Sequence, residues 1–261
     1  MDLVLVAEEN DILSADLSRL ATSRGLRAEI LSPAAAARLF SIRFDGLASF
    51  VEPDLPMFVR PRGPDLVRES ADAAFAAAEA TAMLWGVGAL LKSPCINRPG
   101  RRGFAGRTSA SAALTKLRAG GAEPVPEVFS RDAPAPPTPD RAGWYVQDMA
   151  SLETAVWPGP STGVGPFRGR ASRMSGGYEV VAVLGEKAWR STTAPLSHLE
   201  LDQRSVRAVH ALDLRFAAIT WEVSSTGEDA SLVRVNPFPG YAELAYVWPE
   251  LAPALLDALT G

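Results

Sequence analysis

The sequence has few of the residues on which catalytic and metal sites are most often built. It contains one cysteine, Cys95, and two histidines among 261 residues. A single cysteine excludes a disulfide within the chain, which is typical of a reducing compartment, and we interpret Cys95 as a buried packing residue. HExxH, CxxC and GxSxG motifs are missing as well, so the sequence gives no support to a zinc site or a nucleophilic triad.

Long apolar runs and a strong net charge are also missing. Ala80–Leu91, the longest uncharged apolar run, is too short to cross a bilayer, and the start MDLVLVAEEND lacks the basic region of a signal peptide. A formal net charge of −4 with 47% hydrophobic residues favours an ordinary globular protein and argues against a polyanion binder. We therefore expect a cytoplasmic protein with no membrane and no nucleic-acid partner.

What the sequence does contain is a βαβ pattern at its start and strand pairs towards its end. Residues 2–7 predict a buried strand, followed by a helix and the strand RAEIL, so we expect a parallel α/β layer. Residues 65–91 predict a long helix, and the later segments YEVVAVLGEKAWRST and RFAAITWEV with SLVRV predict antiparallel strand pairs. This order indicates two domains, residues 1–105 and 106–261.

Two segments rich in arginine are candidates for anion binding. Lys92–Arg118 carries seven Lys or Arg residues and no acidic residue. Guanidinium groups pair bidentately with phosphate and carboxylate, although a solvated surface loop would have the same composition. Residues 157–177 predict a long Gly/Ser/Arg loop without a Walker A ending, which favours a surface loop over a phosphate-binding one.

The stretch LVRVNPFPG, residues 232–240, follows a strand and a polar turn and resembles the end of an ATP-grasp domain of the carboxylate–amine ligase type. Upstream, MFVRP and SPCINRP are similar to the N-terminal segment of that family, and ALTKLRAGG, WYVQDM and YEVVAVLGEKAW follow in the family's order. The resemblance implies an α/β protein with an α+β C-terminal half: an N-terminal parallel α/β pre-ATP-grasp layer plus a reduced ATP-grasp module.

The positions that would bind magnesium depart from the family's pattern. The resemblance implies an Asp at Thr220, a Glu at Arg234 and an Asn at Asn236, and only the Asn is present. Because magnesium requires anionic oxygen ligands, a cation at Arg234 would repel it. Arg234 would instead meet a phosphate or carboxylate, or pair with Glu222 or Glu228 across the sheet.

The lysines that hold ATP phosphates in the family have no counterpart either. Ser109 or Ser111 stands where the first is implied, and DAPAPPTPDRAG is too short to contain the strand and loop of the second. We therefore expect no cofactor.

The resemblance also implies a cleft between the two domains on which separate segments converge. Its candidate ligand-binding residues are Arg60, Asn97, Arg101, Arg102, Arg234 and Asn236. Gln147, Asp148 and Glu179 are candidates for cofactor binding only if a nucleotide binds. No catalytic residue and no metal ligand is assigned.

Two functions follow from the resemblance, and a chance likeness of another α/β fold is the third interpretation. The favoured function is a divergent ATP-grasp-like protein that has lost ligation and binds an acidic small molecule or peptide, beside an active ATP-grasp paralogue or as a homo-oligomer. The alternative is an active ATP-dependent carboxylate–amine ligase with relocated ligands, using ATP and magnesium, in which Arg98–Arg107 and residues 159–173 hold phosphates.

Overall fold

The N-terminal part of the chain forms a parallel sheet with helices on its faces. The computed structural model describes residues 1–60, 70–100, 110–122, 124, 127–135, 143–149, 154–156, 163–171, 177–191, 200–226 and 229–261. The strand order in this first sheet is β2–β1–β5–β6, all parallel, while β3 and β4 form a separate antiparallel hairpin. The elements are β1 (Leu3–Val6), α1 (Ile12–Ser23), β2 (Ala28–Leu31), α2 (Pro33–Leu39), β3 (Ser41–Phe44), β4 (Ser49–Glu52), β5 (Met57–Val59), α3 (Ala71–Leu90) and β6 (Cys95–Ile96).

Helix α3 is longer than the uncharged run within it, because Asp72 and Glu79 interrupt the apolar sequence without ending the helix. It spans 20 residues and by length and composition alone could cross a membrane, and most of its residues are exposed in the structure. The Ser70 side chain caps its start, and residues 61–69, where the predicted helix begins, lie outside the described residues.

Cys95 follows α3 in the core, where burial raises the pKa of its thiol to about 11, in keeping with a packing role.

The middle of the chain forms an antiparallel sheet in the order β7–β10–β8–β9. Its strand β10 lies within the segment predicted to be a loop, so that prediction was wrong for FRGRA. In this strand Phe167, Gly169 and Ala171 point to the buried face, and a Cβ on Gly169 would lie 2.6 Å from the Trp144 ring. The glycine therefore makes room for a core tryptophan. The elements are α4 (Ala110–Ala119), β7 (Glu127–Ser130), β8 (Trp144–Asp148), β9 (Thr154–Val156) and β10 (Phe167–Ala171).

The C-terminal part confirms both predicted strand pairs. They join in one antiparallel sheet of order β12–β11–β13–β14, so β14 is an edge strand. Helix α5 covers one face of this sheet, where the Trp221 indole donates a hydrogen bond of 2.8 Å to the Ser205 hydroxyl. The elements are β11 (Gly177–Leu184), β12 (Lys187–Ser191), α5 (Leu201–Ala211), β13 (Phe216–Val223), β14 (Ala230–Asn236), α6 (Tyr241–Leu244) and α7 (Trp248–Thr260).

The first and third sheets share a hydrophobic core. Leu5 of β1, Leu17 of α1, Phe216 of β13 and Leu255 of α7 belong to one buried cluster, so helix α7 returns to pack beside α1. This shared core fixes the carboxyl ends of the first sheet against the segment that follows β14. The boundary at residues 105 and 106 stays a prediction.

Candidate functional site

The segment NPFPG closes back on itself through hydrogen bonds. The Asn236 side-chain amide donates to the Glu243 carboxylate at 2.7 Å, and the Asn236 oxygen accepts from the Phe238 backbone N–H at 3.2 Å. The same Glu243 oxygen accepts from the Gly240 backbone N–H at 3.0 Å, at the start of α6. Asn236 therefore fixes the turn between β14 and α6.

Arg60 is buried in an ion pair directly after β5. Its Nε and one Nη donate to the Asp11 carboxylate at 2.7 and 3.1 Å, and the same Nη donates to the Pro239 carbonyl at 3.0 Å. The side chain is 9% exposed, and its second Nη is buried without a hydrogen-bond partner. The pair thus ties the first sheet to the NPFPG turn.

Asp11 also caps helix α1, since its carboxylate accepts from the Ser14 backbone N–H at 2.9 Å. Burial alone would raise the pKa of Asp11, but hydrogen bonds and the charge of Arg60 outweigh it and hold the pKa below its ordinary value. Asp11 is therefore a carboxylate at neutral pH and keeps Arg60 neutralised.

Asn97 joins the first sheet to the third through four hydrogen bonds. Its amide nitrogen donates to the carbonyls of Phe216 at 2.8 Å and Pro237 at 3.2 Å, and its oxygen accepts from the backbone N–H groups of Arg215 at 3.0 Å and Phe216 at 2.9 Å. Its φ of 52° lies in the left-handed region, which asparagine tolerates better than most residues. All four hydrogen-bonding positions of its amide are thus occupied by backbone.

The structure brings Arg60, Asn97 and Asn236 around one turn, but with their polar groups bonded mainly within the protein. Arg101 and Arg102 lie outside the described residues. Arg98, from the same basic segment, donates to the carbonyls of Gly88 and Leu91 and so caps the end of α3. A ligand-binding role for the set stays a proposal, and the geometry gives these residues a structural role that the sequence did not predict.

Thr220 and Arg234 face each other across the pair of strands β13 and β14. A bulge follows directly, and Glu222 is paired with Ser231. Among the described residues no carboxylate forms an ion pair with Arg234, which is exposed, and Glu228 lies outside them. The proposed pairing of Arg234 with Glu222 is therefore not formed. Thr220 and Arg234, where the sequence resemblance implies metal-binding carboxylates, lie side by side, one neutral and one positive.

A cleft of about 590 Å³ lies beside Arg234, between the edge of the third sheet and the second sheet. Its walls carry Thr220, Arg234 and Tyr178 from one side and Arg168 and Arg170 from the other, with α4 along it. The sequence placed Arg168 and Arg170 only within residues 159–173, a loop that would hold phosphates under the ligase alternative, and it missed Tyr178 as a site residue. The alternation of Phe167, Gly169 and Ala171 with the two arginines was the signal that could have found them.

The charges in the cleft are not balanced. Arg168 pairs with Glu127 through two hydrogen bonds, one of them 3.0 Å long. Its Cζ atom also lies over the Phe129 ring, 5.9 Å from the ring centroid. Within the part of the chain that the structure describes, the side chains of Arg170 and Arg234 form no hydrogen bond or ion pair. The lining therefore keeps two uncompensated guanidinium groups.

The three residues assigned to a nucleotide have different surroundings. Asp148 is buried, and its carboxylate accepts from the backbone N–H groups of Val164 at 2.9 Å and Gly165 at 3.4 Å. Gln147 lies opposite Arg168, on the face of the second sheet that carries the cleft arginines. Glu179 is paired with Arg190 on the α5 side of the third sheet, the face opposite Thr220. Cofactor binding by these residues stays a proposal.

Solved structures resemble this chain over its whole length. ATP-grasp ligase PsnB complexed with a minimal precursor matches with a TM-score of 0.74 at 14% identity, over 99% of each chain. Macrocyclase MdnC bound with precursor peptide MdnA, from Microcystis aeruginosa, matches with a TM-score of 0.70 at 13% identity, again over 99% of each chain.

The chain has the ATP-grasp fold. A RimK domain protein of this fold from Sphaerobacter thermophilus also matches, with a TM-score of 0.63 at 13% identity and full coverage of both chains. No protein-family model and no curated protein matches the sequence. The fold predicted from the order of motifs is thus confirmed by structures that share few of its residues.

Magnesium does not fit the residues that this chain of ATP-grasp fold places at positions 220 and 234, namely Thr220 and Arg234. In the part of the chain described, no three His, Cys, Asp or Glu side chains come together as a metal site. Between a guanidinium and a divalent cation about 4 Å apart, repulsion is on the order of several kcal/mol near a protein surface. A hydroxyl and a guanidinium supply none of the anionic oxygens that would offset it.

Proposed function

We propose that this chain is an ATP-grasp-fold binding protein that no longer carries out magnesium-dependent ligation. The observation that carries the proposal is the pair formed by Thr220 and Arg234, which puts a neutral and a positive side chain at the two positions matched to carboxylates. A binding protein needs the cleft and its shape but not the metal. The positive lining of the cleft favours an acidic ligand.

The partner we propose is an acidic small molecule or peptide in the cytoplasm. Five of the similar solved structures are named as complexes with a precursor or precursor peptide, which supports a peptide more than a free metabolite. Action beside an active ATP-grasp paralogue, or as a homo-oligomer, belongs to the same proposal, because a protein without ligation chemistry would act by presenting its ligand.

Isothermal titration with ATP in the presence of magnesium tests this proposal. We expect no magnesium-dependent binding at sub-millimolar concentrations, since the metal that would bridge the phosphates lacks its carboxylates. Omitting magnesium is the matched control and should leave the result unchanged. A micromolar dissociation constant that requires magnesium would contradict the proposal.

An active ligase with relocated ligands is the second candidate. Glu222 favours it, because this acidic residue is 2% exposed and lies two residues from Thr220 on the same face of β13. Full-length similarity to ligases favours it as well. If the titration shows magnesium-dependent ATP binding, Glu222→Gln should abolish it under this alternative.

A further inference from the structure

The two uncompensated arginines of the cleft belong to different sheets. Arg170 lies on β10 of the second sheet and Arg234 on the edge strand β14 of the third, and both line the same cavity of about 590 Å³. Strands hold both backbones, so the two guanidinium groups face one space because of the fold. Two positive charges that face the same space repel each other, and an anion bound between them would offset that repulsion.

Among the described residues that line the cleft, the one carboxylate is already paired. Glu127 pairs with Arg168 through two hydrogen bonds, which leaves Arg170 and Arg234 to give the lining a net positive charge. The protein as a whole carries a formal charge of −4, so this local excess runs against its overall balance. Tyr178, 59% exposed, and the Thr220 hydroxyl add neutral hydrogen-bonding groups to the same wall.

We propose that the cleft binds an oxyanion without a metal, with Arg170 and Arg234 as the binding residues and Arg234 standing in for a divalent cation. The ligand carries carboxylate or phosphate groups, because both accept the paired N–H donors of a guanidinium. The proposal rests on the proposed function and goes beyond it by naming the cleft, the two residues and the independence from metal.

The apolar part of the cleft restricts the chemical class of the ligand. Leu114 and Leu117 of α4 and Leu232 and Val233 of β14 line it beside the arginines. Leu117 and Leu232 are buried, but Leu114 and Val233 are only half-buried. An inorganic ion would leave Leu114 and Val233 partly exposed, whereas a ligand with a carbon skeleton between or behind its acidic groups would cover them. A larger acidic molecule should therefore bind more tightly than free phosphate.

Titration with three probes in EDTA tests this inference: a tetraglutamate peptide, ADP and inorganic phosphate. Wild-type protein should bind tetraglutamate or ADP more tightly than phosphate, with an affinity that falls as salt rises and does not change when magnesium replaces EDTA. Preference for tetraglutamate identifies a carboxylate source, and preference for ADP a phosphate source.

Arg170→Gln and Arg234→Gln should each weaken binding about ten- to a hundredfold, the loss of one charge-assisted pair. Arg38→Gln is the matched control and should bind like wild type, because Arg38 is exposed on α2 and is not one of the residues that line the cleft. Arg234→Lys keeps the charge but not the paired donors and should fall between wild type and Arg234→Gln. Unchanged melting temperatures would show that these variants fold.

Two results would overturn the inference. One is a wild-type protein that binds none of the probes at millimolar concentration, and the other is binding that survives in both glutamine variants. Neither result contradicts the proposed loss of ligation, whereas magnesium-dependent ATP binding would overturn the proposed function itself. The two failures are therefore distinguishable in the same set of titrations.

Discussion

Replacing Arg60 with alanine is expected to lower the free energy of unfolding by about 3–5 kcal/mol. Arg60 is 9% exposed, donates twice to Asp11 and once to the Pro239 carbonyl, and so links the first sheet, the cap of α1 and the NPFPG turn. Its removal leaves the Asp11 carboxylate partly buried without its counter-charge. Urea denaturation followed by circular dichroism measures the loss.

Arg43→Ala is the matched control for Arg60→Ala. Arg43 also pairs with an acid, Glu52, but the two side chains are 64% and 51% exposed. An exposed pair contributes about 0–1 kcal/mol, so this variant should unfold almost like wild type. Equal small losses in the two variants would show that the Arg60 pair does not hold the first sheet to the turn.

Replacing Asn97 with alanine is expected to cost roughly 3–5 kcal/mol, because each buried polar group left without a partner costs about 1–3 kcal/mol. Four backbone groups lose their partner, on Arg215, Phe216 and Pro237. Alanine is also less suited than asparagine to a φ of 52°. The same denaturation experiment measures the change.

Asn97→Gly separates the two causes of that loss. Glycine adopts a positive φ without the penalty of about 1–2 kcal/mol that a side chain carries, but it restores none of the hydrogen bonds. We expect it to be more stable than Asn97→Ala and still well below wild type. A free energy of unfolding for Asn97→Ala within about 1 kcal/mol of the wild-type value, roughly one net hydrogen bond, would show that the contact between the sheets does not depend on this amide.

The third sheet shows what local pattern can predict. Apolar strand segments on either side of the turn at Gly185–Glu186 and of residues 224–229 predicted both hairpins, and they form as predicted. Because antiparallel register follows from a short connection, the pattern also placed Thr220 and Arg234 on adjacent strands. The departure from carboxylates at these positions was therefore visible in the sequence.

The partners of Arg60 and Asn97 could not be predicted in the same way. Asp11 is 49 residues from Arg60, and Phe216 is 119 residues from Asn97. These contacts depend on how the sheets pack, which no local period encodes. A partial signal existed for Asp11, since polar residues that follow neighbouring parallel strands tend to meet at one edge of the sheet.

The wall that β10 contributes to the cleft was missed because of Gly169. Glycine and arginine in the sequence indicated a loop, whereas the glycine serves to admit the Trp144 ring against a strand. Only the structure shows which residue needs the space. With β10 treated as a loop, Arg168 and Arg170 had no defined direction and could not be placed opposite Arg234.

The central claim is that Arg234 and Thr220 keep a divalent cation out of the cleft. Manganese tests this claim directly, because Mn²⁺ prefers the same oxygen ligands as magnesium and has a paramagnetic signal. Electron paramagnetic resonance of free Mn²⁺ should show no binding to wild-type protein at sub-millimolar concentration. The double variant Thr220→Asp with Arg234→Glu should gain binding, and Arg38→Glu, which adds a carboxylate elsewhere, should not. Micromolar binding of Mn²⁺ by the wild-type protein would contradict the account.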